Sequence, residues 1–351
     1  MSSGKTERLT GEAGALRAAE LLREGGTVAF PTETVYGLGA NALDSTAVAK
    51  IFGAKERPSW DPVIVHVCDR EMVARVAEIS GEMAVRAEAL MAAFWPGPLT
   101  LLLPRTATVP DAVTAGRPLV GVRMPAHPVA LDLIRAAGVP VAAPSANRFG
   151  RTSPTTAAHV LEDLDGRIDA VLDGGPTSVG VESTVLGPSE DGLRWTMYRP
   201  GGVSKDMLES VCGTGMVEVF RPAETAHVPE SMPSPGVGIR HYAPRAKLVL
   251  VSDISRHRGP IEQRLVSAID DVFEAAGKTG VMLPDGWDAS YAPLVYRWGP
   301  WDDGETLARR LFAGLRELDE AGAAVIICPV PEMGGIGEAI RDRLKKAARD
   351  K

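Results

Sequence analysis

The chain has 351 residues, 38 Lys+Arg against 45 Asp+Glu for a formal net charge of −7, and 45% hydrophobic residues. That length suits two globular domains of roughly 150 residues, each able to bury its own core. The 37 Gly and 27 Pro follow no repeating period, which excludes a collagen-like chain, and the acidic balance argues against sequence-independent capture of nucleic acid, which needs surplus Lys and Arg.

In chain order, residues 13 to 24 place Leu16, Ala19 and Leu22 about three apart and stop at Gly25 and Gly26, which predicts a helix. TVAFPTETVYGLGA follows, β-prone and then Gly-rich. In STAVAKIFGAKERP, Ser45 is a candidate N-cap, Val48, Ile51 and Phe52 share one face, and the end delivers Lys55 and Arg57. The runs PVIVHV, LTLLLP, LVGVRMP, PVAAP, AVLDG, STVLG and LRWTMY read as strands between helical patterns such as PVALDLIRAAG and TTAAHVLEDL. These features predict one α/β domain over 8–205. Residues 206–244, rich in Pro with little periodicity, read as a linker. Within 245–351, KLVLVS, GVMLP, PLVYRW and AAVIICP alternate with helical stretches 260–276, 305–320 and 336–348, a smaller α/β domain of Rossmann-like type.

Three Cys at wide spacing, without a CxxC, support neither a disulfide framework nor a Cys-based zinc site. No run of about 18 apolar residues occurs, so a cytoplasmic protein without membrane attachment is expected. The phosphate loop, the dinucleotide fingerprint, the G-x-S-x-G elbow and H-E-x-x-H are missing.

Polar residues nevertheless interrupt apolar strand ends in six places. Thr32, Glu33, Thr34 and Tyr36 break PTETVYGLG; Lys55 and Arg57 precede His66 in KERPSWDPVIVH; Arg123 sits inside LVGVRMP. Ser145, Asn147 and Ser153 lie in APSANRFGRTSP, Ser183 and Thr184 in VESTV, and Arg199 in YRPG. Singly, each has an ordinary reading: a solvated helix-end cation, a structural His, a capping hydroxyl. An Arg within a strand must be ion-paired or face a cleft, because an unpaired buried charge is costly.

Taken together, PTETVYGLG, K-x-R-P with its following His, VRMP, SAN, ESTV and RPG resemble the YrdC-like family, in particular its threonylcarbamoyl-AMP synthases. SPGVGIRHYAP and the segment beyond it are similar to the linker and C-terminal domain of the long, two-domain form. The resemblance implies a YrdC-like twisted mixed sheet with flanking helices plus the Rossmann-like domain. It also implies a nucleotidyltransferase reaction: L-threonine, bicarbonate and ATP give threonylcarbamoyl-adenylate, pyrophosphate and water, for threonylcarbamoyladenosine in tRNA. The family's K-x-R and S-x-N tetrad falls on Lys55, Arg57, Ser145 and Asn147, which takes the catalytic and nucleotide-binding roles, with Asp61, Ala143, Ser153, Arg199 and Tyr242 at further nucleotide positions. Arg123 would hold the substrate carboxylate, with Thr34, His66, Ser145 and Ser183 lining the threonine pocket.

Asp61 stands where the family often has Asn, so it would repel a triphosphate or recruit Mg²⁺. No metal-ligating set is assigned, and Mg²⁺ is expected to arrive with ATP. The product would pass to a tRNA threonylcarbamoyl transferase complex; direct tRNA contact is not required. Gly236 and Gly238 would give the linker the hinge freedom of a lid over the site. Two rivals remain at this stage: an RNA-binding module, disfavoured by the acidic total and 5% aromatic residues, and a carbamoyl-adenylate enzyme of the same fold without a threonine pocket.

Overall fold

The computed structural model describes residues 5–189, 191–221, 241–252, 260–273, 278–288 and 292–349. The chain divides into two units: Met1–Phe149, Pro154–Ser178 and Glu182–Gly238 in the first, and Gly150–Ser153, Val179–Val181 and Ile239–Lys351 in the second.

The first unit opens with β1 (Glu7–Thr10), α1 (Gly11–Arg23), β2 (Val28–Phe30) and β3 (Gly37–Asn41). The buried stripe of α1 is Ala18, Ala19, Leu21 and Leu22. Leu16, expected on that stripe, is exposed, because two residues before Ala18 the side chain has rotated by about 200° to the outer face. Next come α2 (Ser45–Lys55), β4 (Ile64–His66), α3 (Arg70–Val76), α4 (Gly81–Phe94), β5 (Leu99–Pro104), α5 (Asp111–Thr114) and β6 (Leu119–Arg123). The N-cap of α2 is Asp44 rather than Ser45: its carboxylate accepts from the N–H groups of Thr46 (2.8 Å) and Ala47 (3.3 Å). The unit continues with α6 (Pro128–Ala137), β7 (Val141–Ala142), α7 (Ala157–Leu164), β8 (Ala170–Asp173), β9 (Thr184–Pro188) and β10 (Trp195–Arg199), and ends with α8 (Lys205–Cys212) and β11 (Val217–Val219).

The eleven described strands form one mixed sheet in the order β1-β8-β2-β3-β7-β4-β6-β5-β9-β10-β11. β4 runs parallel to β6, β5 lies antiparallel to β6 and parallel to β9, and β7 is antiparallel to β3 and β4. Apolar side chains such as Phe30, Leu38, Val65, Leu101 and Val122 are fully or almost fully buried, as a sheet covered by helices requires. At Gly39 a Cβ would stand 2.7 Å from Val141 and 2.8 Å from the Phe30 ring, so glycine is what lets β3 lie between them. The start of the linker differs from the sequence reading: 205–219 carry α8 and β11, and β11 pairs parallel with β10. Three residues of edge strand and one short helix leave too little periodicity to be recognised beside Pro-rich sequence.

The second unit contains β12 (Lys247–Val251), α9 (Ile261–Phe273), β13 (Thr279–Pro284), β14 (Leu294–Gly299), α10 (Gly304–Glu320), β15 (Val325–Pro329) and α11 (Gly337–Ala347). Its four strands are parallel, ordered β12-β15-β13-β14. Val251, Leu265, Ile269, Val281 and Ile327 form a core beside the sheet, and the alternation of strand and helix gives the expected Rossmann-like arrangement. Among the described residues no helix is long and apolar enough to cross a membrane.

Candidate active site

Two buried clusters in the first unit contain most of the expected residues. In one, α2 ends at Glu56, whose left-handed φ of 54° reverses the chain and delivers Lys55 and Arg57 to the interior. Lys55 is 1% exposed; its ammonium donates to the Ser145 carbonyl (2.5 Å) and to the Asn147 carbonyl. Burial, helped by the charge of Arg57, holds its pKa well below the usual lysine range. Arg57 pairs with Asp61 at 2.9 Å and donates to the Asp61 and Pro62 carbonyls. Asp61 is thus an internal counter-ion for Arg57. Recruiting Mg²⁺ through Asp61 would strip that partner from a buried guanidinium, so the residue does not fit a metal site. No group of three or more His, Cys, Asp or Glu among the described residues is placed to hold a metal ion.

In the other cluster, His66 on β4 and Arg123 on β6 are register partners. Arg123 is 3% exposed and held from three sides: Nε donates to the Gly97 carbonyl (3.2 Å), Nη1 to Thr34 Oγ1 (2.9 Å), and Nη2 lies 2.7 Å from Glu33 Oε1. Two of five guanidinium N–H groups donate hydrogen bonds and Nη2 meets Glu33 only as an ion pair, so three N–H groups donate to no protein atom among the described residues. The expectation for a strand Arg, paired or facing a cleft, is met by a pair that still keeps spare donors. Thr34 Oγ1 also lies 2.8 Å from Thr32 Oγ1, which bonds the Val35 carbonyl and closes the PTET turn. The His66 ring meets Phe30 edge-on at 6.0 Å.

Burial, and then the charge of Arg123, push the His66 pKa down to about 3. His66 is therefore neutral at neutral pH and suited to hydrogen bonding. The unfolded chain binds a proton near pH 6.5 that the native state refuses until about 3, so His66 supplies stability above pH 6.5 that is lost as pH falls through that window. Between pH 7 and 4.5, His66→Gln should lose about 2–3 kcal/mol less stability than the parent in urea titrations. Equal losses would place the proton uptake elsewhere.

Ser183 extends the second cluster. Its hydroxyl lies 2.8 Å from Thr100 Oγ1 on β5, and Arg199 at the end of β10 donates to its carbonyl (3.0 Å) and its Oγ (3.1 Å). Gly201 makes this approach possible: a Cβ there would sit 2.3 Å from the Thr184 nitrogen. Backbone bonds lace the two clusters together. Leu38 donates to Pro144, Ala146 to Tyr36 (both 2.8 Å), and Gly37 bridges Ser145, so the loop holding Lys55 is fixed to the loop holding Thr34. On the other side Pro98, next to the Gly97 that braces Arg123, accepts from Thr184 (2.9 Å).

Residues 20–201 match the Sua5/YciO/YrdC family model, described as telomere recombination, and 203–349 match the model for the C-terminal domain of threonylcarbamoyl-AMP synthase. The chain belongs to the Sua5/YciO/YrdC family. It is 43% identical to the threonylcarbamoyl-AMP synthase of Pyrococcus abyssi over 94% of this chain and 93% of that protein. It is also 43% identical to that of Bacillus subtilis, over 95% and 92%. A crystal structure of P. abyssi Sua5 complexed with L-threonine superposes with a TM-score of 0.87 at 41% identity, covering 98% of this chain and 97% of that one.

Seen as a Sua5/YciO/YrdC member, the first unit brings together Thr34, Lys55, Arg57, Asp61, His66, Arg123, Ser145, Asn147, Ser183 and Arg199. Ala143 is buried there too, but its N–H is bonded to the Ile64 carbonyl (2.8 Å), so an N–H contact to a nucleotide would break a sheet bond. Ser153 and Tyr242 belong to the second unit. Ser153 is fully buried. Tyr242, with a φ of 66°, stacks on Phe312 at 5.7 Å beneath the guanidinium of Arg343 at 5.1 Å. The hinge glycines Gly236 and Gly238 lie outside the described residues. Glu33 was singled out from the sequence as a polar residue inside PTETVYGLG but given no site role, whereas Thr100 escaped the sequence reading because nothing local marks it.

Proposed function

We propose that this chain is an L-threonylcarbamoyladenylate synthase, which converts L-threonine, bicarbonate and ATP to threonylcarbamoyl-adenylate, pyrophosphate and water for threonylcarbamoyladenosine in tRNA. The observation that carries this reading is the lacing of the Lys55–Ser145–Asn147 cluster to the Arg123–Thr34 cluster through Tyr36 and Gly37. In this reading the lacing brings a cationic corner beside the residues assigned to a small zwitterion.

In this reading the free Arg123 donors hold the threonine carboxylate in a planar fork that lysine does not offer. Thr34, neutral His66, Ser145 and Ser183 supply hydrogen bonds to the rest of the amino acid, and a site that bonds the hydroxyl rejects an analogue without it. The threonine carbamate must then attack the α-phosphorus of ATP while pyrophosphate leaves. Lys55, Arg57 and Arg199, with Ser145 and Asn147, offset the approach of two anions; Ala143, Ser153 and Tyr242 are assigned to the nucleotide by resemblance. Asp61 acts indirectly, by fixing Arg57. Mg²⁺ enters as part of the substrate, held by the phosphate oxygens. The first unit through β11 is the catalytic domain, 245–351 the Rossmann-like domain, and the stretch between them the linker. The product passes to a transferase acting on tRNA, and the work takes place in the cytoplasm.

Purified protein should release pyrophosphate from ATP only when both threonine and bicarbonate are present, and far more slowly with valine. An RNA-binding module would release none. A carbamoyl-phosphate-dependent enzyme of this fold would respond to neither addition.

A further inference from the structure

Glu33 stands in the turn between β2 and β3, 7% exposed, with one oxygen 2.7 Å from Arg123 Nη2. Apart from that ion pair, neither carboxylate oxygen has a hydrogen-bond partner among the described residues. A carboxylate can accept about four hydrogen bonds, and burying it with so few is costly unless another donor completes the site. Arg123 faces it from β6, and His127, the N-cap of α6, is the other charged or titratable group that senses it. An α-amino acid carries its ammonium and carboxylate on one carbon. The Glu33–Arg123 pair presents the complementary charges side by side, the cation with three N–H groups that donate to no protein atom among the described residues and the anion with unfilled lone pairs.

We propose that Glu33 receives the α-ammonium of the amino-acid substrate and takes its proton, a role that rests on the function proposed above. The ammonium has no lone pair and cannot attack carbon. In the proposed step one N–H bond breaks, its electron pair stays on nitrogen, and the proton moves to a Glu33 oxygen. The freed pair forms the bond to the bicarbonate carbon; hydroxide leaves that carbon and combines with a second proton from nitrogen as water, giving the carbamate. The proton on Glu33 then returns to solvent before the next turnover. No other carboxylate is ion-paired to Arg123 among the described residues, so the position of the substrate carboxylate on that guanidinium selects Glu33 for the amine.

The test is pyrophosphate release by full-length Glu33→Gln and Glu33→Asp as a function of pH, with saturating ATP and bicarbonate. Glu33→Gln keeps the volume and removes the base, so kcat near neutral pH should fall about a hundredfold. Its rate should then climb about tenfold per pH unit towards the pKa of the free amine, because only substrate already deprotonated reacts. The parent lacks that climb. Glu33→Asp, a retracted base, should recover at least about tenfold over Glu33→Gln together with the parental pH profile, and it keeps the test decisive if the Gln variant folds poorly. A Glu33→Gln rate within threefold of the parent overturns the proposal, as does a raised KM for threonine with an unchanged pH profile, which would make Glu33 only a brace for Arg123. If the parent itself releases no threonine-dependent pyrophosphate, the function is wrong and the base falls with it; if the parent is active and the variants behave alike, the base alone is wrong.

Discussion

Arg123→Lys should leave a folded protein whose kcat/KM for threonine is about a thousandfold below that of the parent. Lysine keeps the positive charge beside Glu33, so the buried anion is not abandoned, and thermal stability should change little. What it loses is the planar fork: a single ammonium has three donors to spread over Gly97, Thr34, Glu33 and the substrate. Losing one partner of a buried charge-assisted contact costs about 2–5 kcal/mol, and about 4 kcal/mol is a factor of a thousand. Arg123→Met separates the roles, because it leaves Glu33 unpaired in the interior and should also destabilise the fold by about 3–5 kcal/mol. Steady-state kinetics with varied threonine, alongside denaturant titration, decides the matter; an Arg123→Lys enzyme within tenfold of the parent would remove Arg123 from the carboxylate site.

Lys55→Met is the companion case, with damage to both structure and activity. The methionine fits the space but cannot donate, so the Ser145 and Asn147 carbonyls each lose a buried partner at about 1–3 kcal/mol. A loss of about 3 kcal/mol in a domain of this size lowers Tm by roughly 6–12 °C. Activity should fall further than stability explains, about a thousandfold when assayed well below the new Tm, because the cation that the proposed function assigns to the triphosphate is gone and the loop carrying Ser145 and Asn147 loses its tether. An unchanged Tm would show that the two carbonyl bonds carry little weight.

Much of the fold could be read before any coordinates. The run LTLLLP is β5 residue for residue, and the helical stretch 305–320 is α10 within one position, because long apolar periodicity dominates local choice. The short elements β1 and β11 were missed, since three or four edge residues carry no period. Asp44 displaced Ser45 as a cap by one position, a margin that only the geometry of the side-chain acceptor decides. For the site, residue types in six clusters pointed to the right side chains but not to their partners. Arg123 meets Glu33 across 90 positions, and Ser183 meets Thr100 across 83; both pairings exist only after the sheet has formed. Asp61 invited a metal reading for the same reason, until its proximity to Arg57 gave it a simpler task.

The lacing of loops so far apart in the chain also bears on synthesis. A nascent polypeptide that has emerged only as far as Asn147 has Lys55, Arg57 and Arg123 but lacks Ser183, Arg199 and the strand pair that carries them, so it presents an incomplete receptor. Under the proposed function, L-threonine can therefore stabilise the domain by mass action without rewarding a premature intermediate, and its protective effect on translation-arrested lengths should appear only once β10 is available to close the sheet around β9.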